Sequence, residues 1–309
     1  MSVREKLMYN WEKLPVLVRL QDFCKWGVSH GMVPLAQWRQ GDIYRVYFSS
    51  RDDKNRSLIG YVELDLNDPG HVTGFSKKPV LGLGEMGCFD DNGVTPSWLV
   101  EHEGKTYLYY IGWNKGSVVR MSLVAGLAVS HDQGESFQRV WNVPILDRVH
   151  EEPYLLNTGP CVLKEGDIWK MWYVCGVKWV NPDLPKYHIR YTESHDGLHW
   201  QRPGKVCIDF KDEQECAIAR PCVLKEDGIY KMWYSAKGDQ YRMGYAESTN
   251  GLDWKRYDEK AGIAVSPSGW DSEMIEYAYV FNHKNKKYML YNGNNYGFDG
   301  FGMAVAKEQ

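Results

Sequence analysis

The sequence predicts an all-β chain folded as a single five-bladed β-propeller, on three observations. An aromatic-rich strand recurs as Tyr44–Phe48, Tyr107–Tyr110, Trp169–Tyr173, Tyr230–Tyr234 and Tyr288–Tyr291. Counted from their last aromatics, the copies stand 62, 63, 61 and 57 residues apart, a period that fits one blade of short alternating strands. An outer-strand signature, an aromatic followed two residues later by a basic residue and soon by Pro and aliphatics, appears at Phe75–Leu81, Phe137–Leu146 and Trp200–Ile208 and, with looser spacing, at Trp254–Val265.

The elements follow in order within each repeat. The fourth reads as strand Ala219–Leu224, a turn at Lys225–Gly228, strand Ile229–Tyr234, strand Arg242–Glu247, a turn at Asn250-Gly251 and strand Trp254–Tyr257. Its turns carry the Gly, Asn and Asp that hairpins need. The fifth repeat ends at Phe301–Ala306, a third strand, while the outer-strand signature reappears at Trp11–Leu17. An N-terminal strand at about 11–19 is therefore expected to complete blade five and close the ring, since an edge would otherwise stay unpaired. The repeat assigns residues 1–309 to one domain.

Composition narrows the function classes. A formal net charge of −3 with no Lys/Arg block argues against nucleic acid as partner. No apolar run reaches the ~18 residues of a membrane span. Met1–Lys6 lacks the apolar core of an export signal, so a cytoplasmic protein is expected. The seven cysteines form no Cys-x-x-Cys pair, and Cys161 and Cys222 hold matching places in two repeats, as reduced core residues would.

Several motifs are expected to be structural. Ser130–Phe137, Ser194–Trp200 and Ser248–Trp254 match one another as turns between third and fourth strands. The first carries the Ser-x-Asp-x-Gly-x-x-aromatic pattern called an Asp-box in sialidase-like propellers. Gly82–Gly87 spells a dinucleotide fingerprint but leads into Cys88–Gly93 rather than an apolar helix. His195 and His199 lie on a turn and strand where a spacing of four does not bring two rings to one metal. No cofactor or metal is expected.

Function is expected where the repeats differ. Residues just before strand one and just after strand two share one face around the axis, where loops converge. Before strand one stand Asp90 and Asp91, Glu151 and Glu152, Glu213 and Glu215, and Asp271, Glu273 and Glu276 beside Tyr277. His30 holds the first-blade position and Arg220 an inner strand. After strand two come Arg51 and Asp52, Trp113 and Asn114, Lys237, and Asn292 and Asn294. Acids crowded in a funnel cannot all ionise easily, and a protonated acid beside an ionised one is what glycosidic cleavage uses. Amides and Trp113 suit a sugar ring, and Arg51 and Arg220 suit a carboxylate or phosphate.

With Phe89–Val94, Ile218–Pro221 and Trp270–Tyr277, the blade repeats resemble the five-bladed propeller glycosidases: the arabinanase and xylosidase group, the invertase and levansucrase group, and the mannoside phosphorylases. The likeness is greatest to uncharacterised glycosidase-like propellers of bacteria, and it implies a link with polysaccharide assembly. It also implies, by position, Asp91 as base or nucleophile, Glu215 as general acid and Glu152 as a tuning or orienting group. The Asn-Asp-Pro context common at the first inner strand is replaced by Val28–Pro34. The expectation is an enzyme that hydrolyses or transfers a glycosidic linkage; phosphorolysis and non-catalytic binding of a sugar or nucleotide sugar stay open. Asp91 and Glu215 facing one cavity would favour the enzyme, and their burial against Arg the binding module.

Overall fold

A computed structural model describes residues 9–19, 22, 23 and 25–307; the opening Met1–Lys6 segment lies outside the described residues. The chain is nearly all β, and its antiparallel ladders fall into runs of four. The N-terminal strand β1 (Trp11–Val18) is followed by β2 (Ser29–Gln40), β3 (Ile43–Arg51), β4 (Ser57–Asp65) and β5 (Asp68–Phe75), which pair in sequence. Next come β6 (Gly93–His102), β7 (Lys105–Lys115), β8 (Met121–Ser130) and β9 (Gln138–Arg139). A third run holds β10 (Thr158–Glu165), β11 (Ile168–Asn181), β12 (Leu184–Ser194) and β13 (Lys205–Ile208). A fourth holds β14 (Ala217–Glu226), β15 (Ile229–Lys237), β16 (Tyr241–Ser248) and β17 (Lys255–Arg256). The last, β18 (Glu276–His283), β19 (Lys286–Asn292) and β20 (Phe301–Ala306), takes β1 as its fourth strand, with Trp11 opposite Ala306. The first strands pack beside one another: β2 by β6, β6 by β10, β10 by β14, β14 by β18, and β18 by β2.

Aromatic second strands form the core between runs, with Trp172, Trp233, Tyr109 and Tyr173 fully buried. The turns between third and fourth strands are fastened from the preceding run. Tyr47 Oη donates to the Gly134 carbonyl, Tyr109 Oη to Gly197 and Trp172 Nε1 to Gly251, at 2.8–2.9 Å. Inside each turn the Asx side chain accepts backbone N–H groups, as Asp196 does from Leu198 and His199.

The acids before strand one meet the basic residues of the outer-strand signature. Asp90, fully buried, accepts from Arg139 at 2.7 Å and from Tyr110 Oη at 2.9 Å. Glu152 accepts from Arg202, from Arg190 and from Tyr173 Oη. Glu215 takes both nitrogens of a bidentate Arg256 at 2.7 Å, and Asp258 links the same Arg256 to Tyr234 Oη. Asp271 accepts from Lys13 at 2.5 Å and Tyr291 Oη at 3.1 Å. In the run β2–β5 the matching second-strand position is Phe48, which has no hydroxyl, and Trp26 fills the space: a Cβ on Gly60 would stand 2.2 Å from its ring. Each latch thus ties the loop before strand one to strands two and four.

Buried ion pairs add little net stability, but breaking one strands a charge at about 3–5 kcal/mol. Arg256→Met is therefore expected to lower the urea-unfolding free energy by about 3 kcal/mol or more, with Glu215→Gln on the same chain restoring part of the loss.

Candidate functional site

Every first strand shifts register early, between Met32 and Leu35, Pro96 and Trp98, Thr158 and Cys161, Ala219 and Cys222, and Glu276 and Tyr279. Gly159 takes a left-handed φ of +57° at this bulge, and Val33, Arg220 and Tyr277 adopt φ of +54°, +52° and +58° at the matching places. A non-glycine residue there costs on the order of 1–2 kcal/mol, and a bulge re-aims its side chain. Val33, Arg220 and Tyr277 all face one cavity of about 360 Å³.

The cavity lies where first strands begin and second strands end. Met32, Val33, Asn92, Thr95, Leu156, Thr158, Gly159, Cys216, Ala217, Ala219, Arg220 and Tyr277 come from or just before the first strands. Arg51, Asn55, Trp113, Asn114, Lys115, Arg120, Asp183–Pro185, Tyr187, Lys237, Tyr241 and Tyr296 come from the second strands, the connections after them and the first residues of the third strands. The lining is cationic: Arg51, Lys115, Arg120, Arg220 and Lys237 against a single carboxylate, Asp183, among the described residues.

Among the described residues, neither arginine of the expected pair bonds a carboxylate. Arg220, 3% exposed, donates to the carbonyls of Ser97 and Pro34, and its Nε has no partner among the described residues. Arg51 donates to Asn55 Oδ1 at 2.9 Å and lies 3.9 Å from Met32 Sδ. Desolvation lowers the pKa of both, and both lie within electrostatic reach of Tyr277. Lys237 Nζ donates to Tyr296 Oη at 3.1 Å and stands 5.4 Å from the Tyr241 ring centre. Tyr187 and Tyr241 share a 2.6 Å hydroxyl contact, and burial raises both phenols, Tyr187 to about 12.

Of the residues singled out by sequence, Arg51, Trp113, Asn114, Arg220 and Tyr277 line the cavity. Trp113 is held by Nε1 to Thr95 Oγ1 at 3.1 Å. Asp91 sits one hydrogen bond behind, accepting from Asn114 Nδ2 at 2.6 Å and Gly87 N at 2.9 Å. Glu152 and Glu215 do not line it: their latches with Arg202 and Arg256 occupy their oxygens, so Asp91 and Glu215 do not face one cavity. Asp52 closes the 52–56 turn onto Arg56. Asn292 stitches β19 to β2 through Val33 N, Gly31 O and Gly300 O. Asn294 accepts from Glu273 N and Met274 N. Glu276, fully buried, lies behind the tyrosines.

Asp183, Tyr187, Tyr241, Tyr296, Lys115 and Arg120 lay outside the sequence expectation. The hairpin β11–β12 runs past the length of its counterparts and carries Asp183 to the cavity; Arg120 N donates to Pro182 O beneath it. The uninterrupted Val174–Val180 stretch was the available signal. Among the described residues no group of acids, His or Cys suits a metal ion, and no helix is long and apolar enough to cross a membrane.

No family model matches the chain. Its fold is that of the propeller glycosidases. A structure described as a glycoside hydrolase covers 96% of this chain and 93% of its own at TM-score 0.73 and 19% identity. A thermostable family-43 glycoside hydrolase gives 0.65 at 18%, covering 96% and 91%. A structure from work on the GH130 family of mannoside phosphorylases, which contains hydrolases of β-1,2 mannosidic linkages, gives 0.71 at 15%, covering 96% and 93%. In sequence, the chain is 39% identical over 296 residues to uncharacterized protein MT1551 of Mycobacterium tuberculosis (strain CDC 1551 / Oshkosh), 96% of this chain and 98% of the relative. Uncharacterized protein Rv1502 of strain ATCC 25618 / H37Rv is 38% identical over the same shares. The chain belongs to the family of these two proteins. Over 105 residues, 31% of the chain and 34% of the relative, it is 33% identical to a 1,2-beta-oligomannan phosphorylase of Thermoanaerobacter sp. (strain X514).

His30, 8% exposed, has a pKa lowered to about 4, first by burial and then by the charge of Arg51. Its ordinary value being 6.5, the unfolded chain binds the proton that the folded one refuses, and stability falls as pH drops from 6.5 toward 4. His30→Asn is expected to remove about 2 kcal/mol of that fall between pH 7 and pH 4.5, read by urea unfolding at both.

Proposed function

We propose that the runs of four strands are blades of a closed five-bladed propeller and that its axial cavity cleaves a glycosidic linkage by phosphorolysis. The observation that carries this reading is that Arg51 and Arg220 both line the cavity and neither is bonded to a carboxylate among the described residues. Two desolvated guanidiniums without a counter-ion suit a doubly charged anion. Hydrolysis by an acid and base needs two carboxylates across the sugar. Phosphorolysis needs one, because phosphate is itself the nucleophile. A phosphate oxygen bonds the anomeric carbon, the glycosidic C–O bond breaks with its electrons, and the departing oxygen takes a proton from Asp183. Trp113 and Asn114 would receive the sugar, with Asp91 orienting Asn114. The local likeness to an oligomannan phosphorylase supports the choice.

Glu152 and Glu215 act in this reading as structural anchors. Their burial against Arg favours a second reading, a non-catalytic sugar-binding propeller, and one assay separates the two.

With β-1,2-linked manno-oligosaccharides leading a panel of glycosides, phosphate is expected to yield a sugar 1-phosphate by mass. Arg51→Ala and Arg220→Ala should each raise the KM for phosphate at least ~10-fold, and Asp183→Asn should cut kcat by about 10²-fold or more. Free sugar released at a rate indifferent to phosphate would replace the reading with hydrolysis, and ligand retention without turnover by the binding module.

A further inference from the structure

We infer that Glu276 is held as an un-ionised carboxylic acid behind the cavity's tyrosine wall, leaving Arg51, Arg220 and Lys237 with no opposing charge there. The use of this arrangement rests on the proposed anion site; the protonation itself does not.

Glu276 begins β18 with no solvent exposure, and neither carboxyl oxygen has a hydrogen-bond partner among the described residues. An ionised carboxylate in such surroundings would lose its hydration with nothing in return, whereas the neutral acid loses far less. Its register partner Asn292 cannot help, because that amide is committed to Val33, Gly31 and Gly300. Lys237, the cation within electrostatic reach, donates to Tyr296 instead. Of the elements packed against β18, β2 brings His30, β14 Arg220, β15 Lys237 and β16 Tyr241. Burial accordingly pushes the Glu276 carboxyl well above the usual range, with Lys237 opposing.

The consequence reaches the cavity through Tyr187, Tyr241 and Tyr277, whose phenols all feel a charge at Glu276 and all line the cavity. Burial alone keeps these phenols uncharged; what a neutral Glu276 adds is that the anion side keeps its full positive potential. An ionised Glu276 would set a fixed negative charge against the same anion.

Thermal unfolding of the wild type and Glu276→Gln from pH 5 to 8.5 tests the protonation without any ligand. An acid kept neutral only in the folded state makes stability fall as pH rises above the unfolded carboxyl value. The Tm of the variant should therefore exceed that of the wild type by a margin that grows with pH. A variant less stable at every pH by a constant margin overturns the inference. Wild-type protein labelled with ¹³C at glutamate carboxyls should show one resonance at the protonated shift at pH 7; full ionisation of all of them overturns it equally. Sulfate, which does not titrate here, should bind the variant at pH 7 within about twofold of wild type; binding tightened 10-fold or more, about 1.4 kcal/mol, would mean that an ionised Glu276 had been opposing the anion.

Discussion

The buried latch between a loop acid, an outer-strand base and a second-strand tyrosine is the interaction on which the rest of the structure depends. It fixes the segments that enter β6, β10, β14 and β18, and with them much of the rim of the cavity. It also settles the charge of the site. By turning Asp90, Glu152, Glu215 and Asp271 onto Arg139, Arg202, Arg256 and Lys13, the latches withdraw four carboxylates from the region where the chain otherwise concentrates them. What remains at the cavity is cationic and aromatic.

Strain supplies the second constraint. Latches hold the entry loops of β6, β10, β14 and β18, and a left-handed bulge just inside β2, β10, β14 and β18 turns one residue toward the cavity. Where Gly159 stands, the bulge carries no side chain; where Arg220 and Tyr277 stand, the same backbone aims a cation and a phenol into the cavity. Such conformations persist when surrounding structure over-determines them, and cluster where their geometry is used. Asn292 adds rigidity at the junction of β19 with β2.

Much of this was legible in the sequence, and the limits have a physical cause. Aromatic second strands, their spacing and the Trp11–Leu17 signature located β1 beside β20, because period and edge pairing are backbone properties that any one repeat displays. Arg51, Trp113, Asn114, Arg220 and Tyr277 line the cavity because they stand near the one end at which first strands begin and second strands finish, a position that the repeat makes readable. Glu152 and Glu215 were assigned roles on the same positional logic, which cannot tell an acid that points to the axis from one that points to the outer strand. The discriminating sign was present: Phe137-x-Arg139, Trp200-x-Arg202 and Trp254-x-Arg256 each set a cation opposite an acid, and Phe48 replaces tyrosine in the repeat where no latch forms. Asp183 was missed because the β11–β12 hairpin outgrows the repeat that made the other positions comparable.

A crystal structure grown in phosphate tests the central claim most directly, since it reports the latches and the anion together. The account predicts phosphate bridging Arg51 and Arg220 beside Tyr277, with Glu152 and Glu215 still on Arg202 and Arg256. Phosphate bound elsewhere with this pair empty, or Glu215 swung from Arg256 into the cavity, would contradict it.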